Sequence, residues 1–224
     1  LYMRRSKSGR FFELFVNEKT KKMSSFPLAA QKGSEWIKKA IEIYNKIETQ
    51  FKKYEDMDSV LFNNAFANQQ IGQLRNAEVI YGRLIKNHPQ SPLLPDAILA
   101  LGELLYDQVR FNYALEQFRL LEKYPDSRVY SYGMYKMAWT YYNLKNSGEA
   151  IKKLVDVLKL NPPLQPGETF TKGHYLRKEA LRDLSIFIGD TYSASELYSF
   201  FDKITEGDEL GSGMIDLARL YESH

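Results

Sequence analysis

The sequence predicts an all-α protein built of stacked helix pairs, and two observations lead there. An alanine followed by apolar residues four and seven places later occurs as Ala40, Tyr44, Ile47, as Ala77, Tyr81, Leu84, as Ala114, Phe118, Leu121 and as Ala150, Leu154, Val157. The four alanines are spaced 37, 37 and 36 residues apart, and Pro89, Pro125 and Pro162 follow three of them. The second observation is residues 131–162, which read as two amphipathic helices and a turn. Met134, Met137, Ala138 and Tyr141 share one face of a 3.6-residue helix. Asn146, Ser147 and Gly148 interrupt the pattern. Ala150, Leu154, Val157 and Leu158 then form a new stripe, which ends at Pro162 and Pro163 because proline cannot continue a helix. Such a pair cannot bury both stripes alone, so neighbouring pairs must stack on it.

Residues 1–33 fall outside the period. They hold an apolar cluster from Phe11 to Val16, lysines at 19, 21 and 22, and Pro27. Irregular structure or a short helix packed on the array is expected there. The lysines suit either a solvated face or an anionic surface. Residues 34–224 form the array. Ser34 is the expected N-cap of a helix over 34–56, unpaired or partner to the next, with Trp36, Ile37, Ala40, Ile41, Tyr44, Ile47 and Phe51 as its stripe.

The repeat at 57–92 opens at Asp58 or Ser59, runs helically over 60–71, closes at Gly72 and continues with a partner over 75–86. Pro89, Pro92 and Pro95 stiffen the connector, and Asp96 is read as the cap of a helix over 97–106. With its partner over 112–123 this makes the repeat 94–128. The focal pair is the repeat 130–163. A long loop precedes a divergent repeat at 174–206, with helices over 175–188 and 194–204. There Ala194, Tyr198 and Phe201 repeat the spacing, and Arg182 takes a small-residue position. Gly207, Gly211 and Gly213 read as a turn before a truncated repeat, 212–224, with its helix over 214–221. The chain is expected to be a fragment of a longer protein.

These residues resemble the tetratricopeptide repeat (TPR) family. Leu101-Gly102, Met137-Ala138 with Tyr141, and Leu217-Ala218 with Tyr221 match its first-helix pattern, while Asn64-Ala65 is followed by Asn68 where tyrosine is usual. The resemblance implies a right-handed superhelix acting as a non-catalytic protein-interaction scaffold. It also implies that first helices line a concave groove. By that analogy the groove presents Phe62 and Phe66, then Leu99, Glu103 and Tyr106, then Tyr132, Tyr135, Trp139 and Tyr142. Asp96 and Asp107 make its middle acidic. Tyrosine and tryptophan suit a binding surface, with large rigid area and a polar handle. The same rings equally suit packing against a neighbouring helix. A partner's helix or extended peptide is the expected ligand. The connector Tyr124-Pro125-Asp126-Ser127 resembles those of bacterial cell-envelope members of the family, such as the lipoprotein of the outer-membrane β-barrel assembly machinery and the periplasmic coordinator of the Tol–Pal system. It implies a periplasmic or outer-membrane-associated site, with the cytoplasm left open.

Composition limits the alternatives. Hydrophobic residues at 44% and aromatics at 14% exclude a disordered chain. The absence of cysteine excludes disulfides and thiolate metal sites. No apolar run approaches the length of a membrane span. His88, His174 and His224 are assigned to a connector, a loop and a terminus, and none has metal-ligand spacing with a carboxylate. No cofactor, metal or catalytic group is expected. Residues 1–57 carry 13 basic and 7 acidic side chains, whereas 58–224 carry 18 and 21. A nucleic-acid-binding repeat is therefore one alternative, opposed by acidic groove positions that repel phosphate. A helical accessory part of an enzyme whose catalytic domain lies elsewhere is another.

Overall fold

The computed structural model describes residues 30–165, 167–189, 192, 194–205 and 209–222. Among the described residues there are helices and no strand. The helices are α1 (Ala30–Gln50), α2 (Met57–Gln70), α3 (Leu74–Asn87), α4 (Leu94–Asp107) and α5 (Phe111–Leu120), the last extended by a 3-10 turn (Leu121–Lys123). They continue as α6 (Tyr130–Asn143), α7 (Ser147–Leu160), α8 (Lys172–Gly189), α9 (Ala194–Asp202) and α10 (Glu209–Glu222). The chain divides into two compact units, Leu1–Leu104 and Leu105–His224, with α4 carrying the division. In the first unit α1 packs on α2 and α2 on α3. In the second, α5 packs on α6, α6 on α7, α7 on α8, and α8 and α9 on α10.

Three of the four repeated alanines are fully enclosed. Ala77, Ala114 and Ala150 have no solvent exposure, and neither do Tyr81, Phe118 and Leu154 four places later. The fourth copy differs: Ala40 and Tyr44 are only half-buried. Among the described residues α1 packs on α2 and meets α3 through the Glu48–Arg83 ion pair at 2.8 Å, whereas the other three alanines lie on helices that follow a left-handed turn.

Each complete pair turns through the same geometry. The fifth residue before each alanine is left-handed: Gly72 at φ 79°, Val109 at φ 62° and Lys145 at φ 62°. The next amide donates back to a carbonyl of the first helix, Gln73 to Asn68, Arg110 to Leu105 and Asn146 to Tyr141, at 2.9–3.0 Å. This double-bonded helix ending satisfies carbonyls that the helix itself leaves open. Only one of the three positions is glycine, so the turn is set by the packing of its helices.

Several boundaries depart from the sequence expectation. Helix α1 starts at Ala30, so Ser34 lies inside it and is no cap. Helix α2 starts at Met57 after Asp56, and Asp58 binds Ser91 on the following connector. Helix α4 starts at Leu94, which puts Pro95 in its first turn, where a missing N–H costs nothing. Asp96 is therefore a buried helix residue and no N-cap. Asn146 does cap α7, accepting from the Glu149 amide at 3.3 Å. Helix α8 begins at Lys172, placing His174 in its first turn, where Nδ1 accepts from the Thr171 amide at 2.9 Å. In α8 Arg182 is exposed, in keeping with its departure from the small-residue pattern, and the buried small residue is Ala180. Helix α10 begins at Glu209, so Gly211 and Gly213 are helical and form no turn. A Cβ on Gly213 would come within 3.0 Å of the Phe201 ring, which explains a glycine inside a helix. The expectations for residues 1–29, Gly207 and His224 lie outside the described residues.

Candidate partner-binding site

The aromatic positions of α6 form one stripe, because residues three and four apart lie on the same helix face. Tyr135, Trp139 and Tyr142 on it are half-buried, and they meet α8 through Asp183 and Phe187. The Tyr135 hydroxyl donates to Asp183 Oδ2 at 2.5 Å, and Trp139 Nε1 donates to the same oxygen at 2.8 Å. Arg182 approaches the other carboxylate oxygen at 3.2 Å and also pairs with Glu179. Asp183 is buried, and this burial pushes its carboxyl above the usual range, opposed by Tyr135, Arg182 and Trp139. Burial first, then the nearby Asp183 charge, pushes the Tyr135 phenol up as well. It stays a protonated donor at neutral pH.

Phe187 supplies the apolar half of this contact. It is fully buried, stacks on Tyr142 with centroids 4.2 Å apart and rings 4° from parallel, and meets Trp139 edge-on at 5.0 Å. Aromatic pairs in these geometries add about 0.5–1.5 kcal/mol each beyond the area they bury.

Below Tyr142, Asn143 Nδ2 donates to the Tyr106 hydroxyl at 2.9 Å and to the Trp139 carbonyl at 2.8 Å. The buried Lys136 holds its ammonium 4.3 Å over the Tyr106 ring, a cation–π arrangement. Burial pushes the Tyr106 phenol up to about 12, the Asn143 bond acting against it.

The other end of α8 is anchored by a residue the sequence reading passed over. Arg177 is buried and donates through Nη1 to the carbonyls of Leu158 (2.7 Å) and Asn161 (2.9 Å), closing the C-terminus of α7. Its Nε and Nη2 donate to the two carboxylate oxygens of Glu209 on α10, each at 2.7 Å. One guanidinium thereby ties three helices, as its planar fork allows. Neither this residue nor Asp183 had a signal in spacing, because their partners lie 16 to 48 residues away.

The nine expected groove residues are not equally available. Tyr106, Tyr135, Trp139 and Tyr142 keep partial exposure in the second unit, and Phe66 keeps it in the first. Leu99 and Tyr132 are buried at 0 and 1% exposure, and Phe62 packs edge-on against Tyr81 at 5.8 Å. Asp96 and Glu103 are buried and engaged within the protein, and of the three acidic positions Asp107 alone is exposed. Among the described residues no group of three His, Asp or Glu side chains is placed to hold a metal, and no helix is long and apolar enough to cross a membrane.

Helix pairs joined by a repeated left-handed turn and nested on small residues define a helical-repeat protein. The tetratricopeptide repeat model matches residues 59–91 and 132–163, that is, the pairs α2–α3 and α6–α7. No curated protein matches the sequence. Among solved structures, BtubC (BKLC) from P. vanneervenii is similar at 14% identity and TM-score 0.58, covering 87% of this chain and 84% of that one. A putative kinesin light chain from Podosopora anserina with nearly identical TPR-like repeats is similar at 12% identity and TM-score 0.59, covering 95% and 97%. A MamA RS-1 double mutant is similar at 13% identity and TM-score 0.54, covering 96% and 98%. At such identities the likeness speaks for the fold. Together with the repeat matches it supports a tetratricopeptide repeat architecture.

Proposed function

We propose that the chain is a non-catalytic protein-interaction scaffold whose α6 face docks a helix or an extended peptide of a protein partner. The observation that carries this reading is the set of partly exposed rings Tyr106, Tyr135, Trp139 and Tyr142, held in fixed positions by Asp183, Asn143 and Phe187. Rings already ordered by the fold lose little rotamer entropy on binding, so their contact area converts efficiently into affinity. In the first unit Phe66 is the partly exposed ring at the position corresponding to Trp139. A bacterial envelope location, periplasmic or at the outer membrane, is the further part of this proposal and is supported by the Tyr124–Ser127 connector.

The test is capture of partners by wild type, by Tyr142→Ala and by Tyr113→Ala, with folding checked by circular dichroism. Tyr113 is an exposed ring on α5, away from the stripe, and serves as the control. Truncating an anchor ring costs about 2 kcal/mol at a hot spot, roughly thirtyfold in affinity. Loss with Tyr142→Ala and retention with Tyr113→Ala is the expected result. Equal capture by all three rejects this face. Salt-sensitive binding of RNA or DNA in place of protein would transfer the reading to a nucleic-acid-binding repeat.

A further inference from the structure

Helix α1 is in register with the second helices of the three complete pairs. Each of those is preceded by a first helix that begins 20 residues before the alanine and ends seven before it: Met57–Gln70 for Ala77, Leu94–Asp107 for Ala114 and Tyr130–Asn143 for Ala150. For Ala40 the same window is 20–33. It contains Pro27, and from Ala30 onward it is already part of α1. Because α1 takes the last four residues of that window, a separate first helix of 14 residues does not fit in it. The consequence is visible in burial. None of the described side chains of α1 is buried, and Trp36 and Ile43 are 62% and 56% exposed, aligned seven residues apart on one face.

We propose that residues 11–16 of this same chain, Phe-Phe-Glu-Leu-Phe-Val, dock on the open face of α1 and take the place of its missing first helix. Phe11 with Phe15 and Phe12 with Val16 are spaced four apart, a spacing that would place all four on one side of a helix of under two turns. The link from 17 to 29 has 13 residues and reaches up to roughly 45 Å, while the 21 residues of α1 span roughly 31 Å. The segment can therefore lie anywhere along that helix. A tether of this length also holds it at an effective concentration of about millimolar, which favours it over a second copy of the chain.

Trp36 and Trp139 are the only tryptophans in the sequence, so Trp36 reports on this face in a chain carrying Trp139→Phe. The experiment is acrylamide quenching of that full chain, with and without the pair Phe11→Ser and Phe15→Ser, over a range of protein concentrations. Amide exchange across residues 36–47 is measured in parallel in chains that keep Trp139, so a folding defect from Trp139→Phe does not decide the outcome. The expected result is a shielded, blue-shifted Trp36 at every concentration. The serine pair should make it severalfold more quenchable and speed exchange over α1. A Trp36 equally quenchable in both chains, with exchange over α1 unchanged, overturns the proposal. So does shielding that disappears on dilution, which assigns the face to a second copy.

Discussion

The recurring left-handed turn gives a prediction whose sign changes from one repeat to the next. Gly72, Val109 and Lys145 hold φ at 79°, 62° and 62° at the same place in successive pairs. An L-residue in this region costs roughly 1–2 kcal/mol through contact of its Cβ with the backbone. Glycine at the same site gives back about 0.4–1 kcal/mol by enlarging the unfolded ensemble. Val109 is more than half exposed, so removing its side chain forfeits little burial. Val109→Gly should therefore stabilise by about 1 kcal/mol and Lys145→Gly by somewhat less, valine being β-branched. A Cβ built on Gly72 meets nothing within 4 Å, so Gly72→Ala carries only the conformational term and should destabilise by up to about 1 kcal/mol. Urea unfolding with an unchanged m-value measures all three. Val109→Gly coming out less stable than wild type would refute the shared turn.

Three further outcomes follow from the packing. Ala150→Leu and Ala114→Leu each force a larger side chain into a site with no exposure, and each should lose about 1–3 kcal/mol in urea unfolding. Arg177→Ala leaves the Glu209 carboxylate and two α7 carbonyls without their donor and should cost about 3–5 kcal/mol. Arg177→Lys should rescue it poorly, since an ammonium cannot span both sets of acceptors. Asp183 gives a pH dependence whose sign is fixed by its raised pKa. The folded chain binds more protons than the unfolded one above the ordinary carboxyl value of 3.8, so the contribution of Asp183 is full below that pH and is lost as pH rises through the folded value. Tyr135, Trp139, Arg182 and Glu179 face this cluster, and Asp183→Asn leaves them in place. The stability of wild type relative to Asp183→Asn should fall from about pH 4 upward; a difference that grows with pH contradicts the assignment.

The helix pairs were legible because alanine recurrence and stripe spacing are local, and helix contact demands a small residue at one fixed place. Ala77, Ala114 and Ala150 are where that reasoning succeeds. Val109 and Lys145 show where it stops: tertiary packing imposes a left-handed turn on residues that carry no turn preference, and the reading placed the break at Asn146–Gly148. Gly213 failed for the opposite reason. It looked like a turn signal, but it serves close approach to Phe201 inside α10. The aromatic stripe of α6 was legible as a stripe, though not its division into buried Tyr132 and partly exposed Tyr135, Trp139 and Tyr142. The contacts that fix the three partly exposed rings come from Asp183 and Phe187, which lie more than forty residues away in sequence.

The most direct check on the scaffold reading is amide hydrogen exchange of the full chain with and without its captured partner. Slowed exchange concentrated in α6 and the facing turns of α8, with α5 unchanged around Tyr113, is the predicted result. Protection confined to other helices, with Tyr130–Asn143 exchanging as in the free chain, would contradict it.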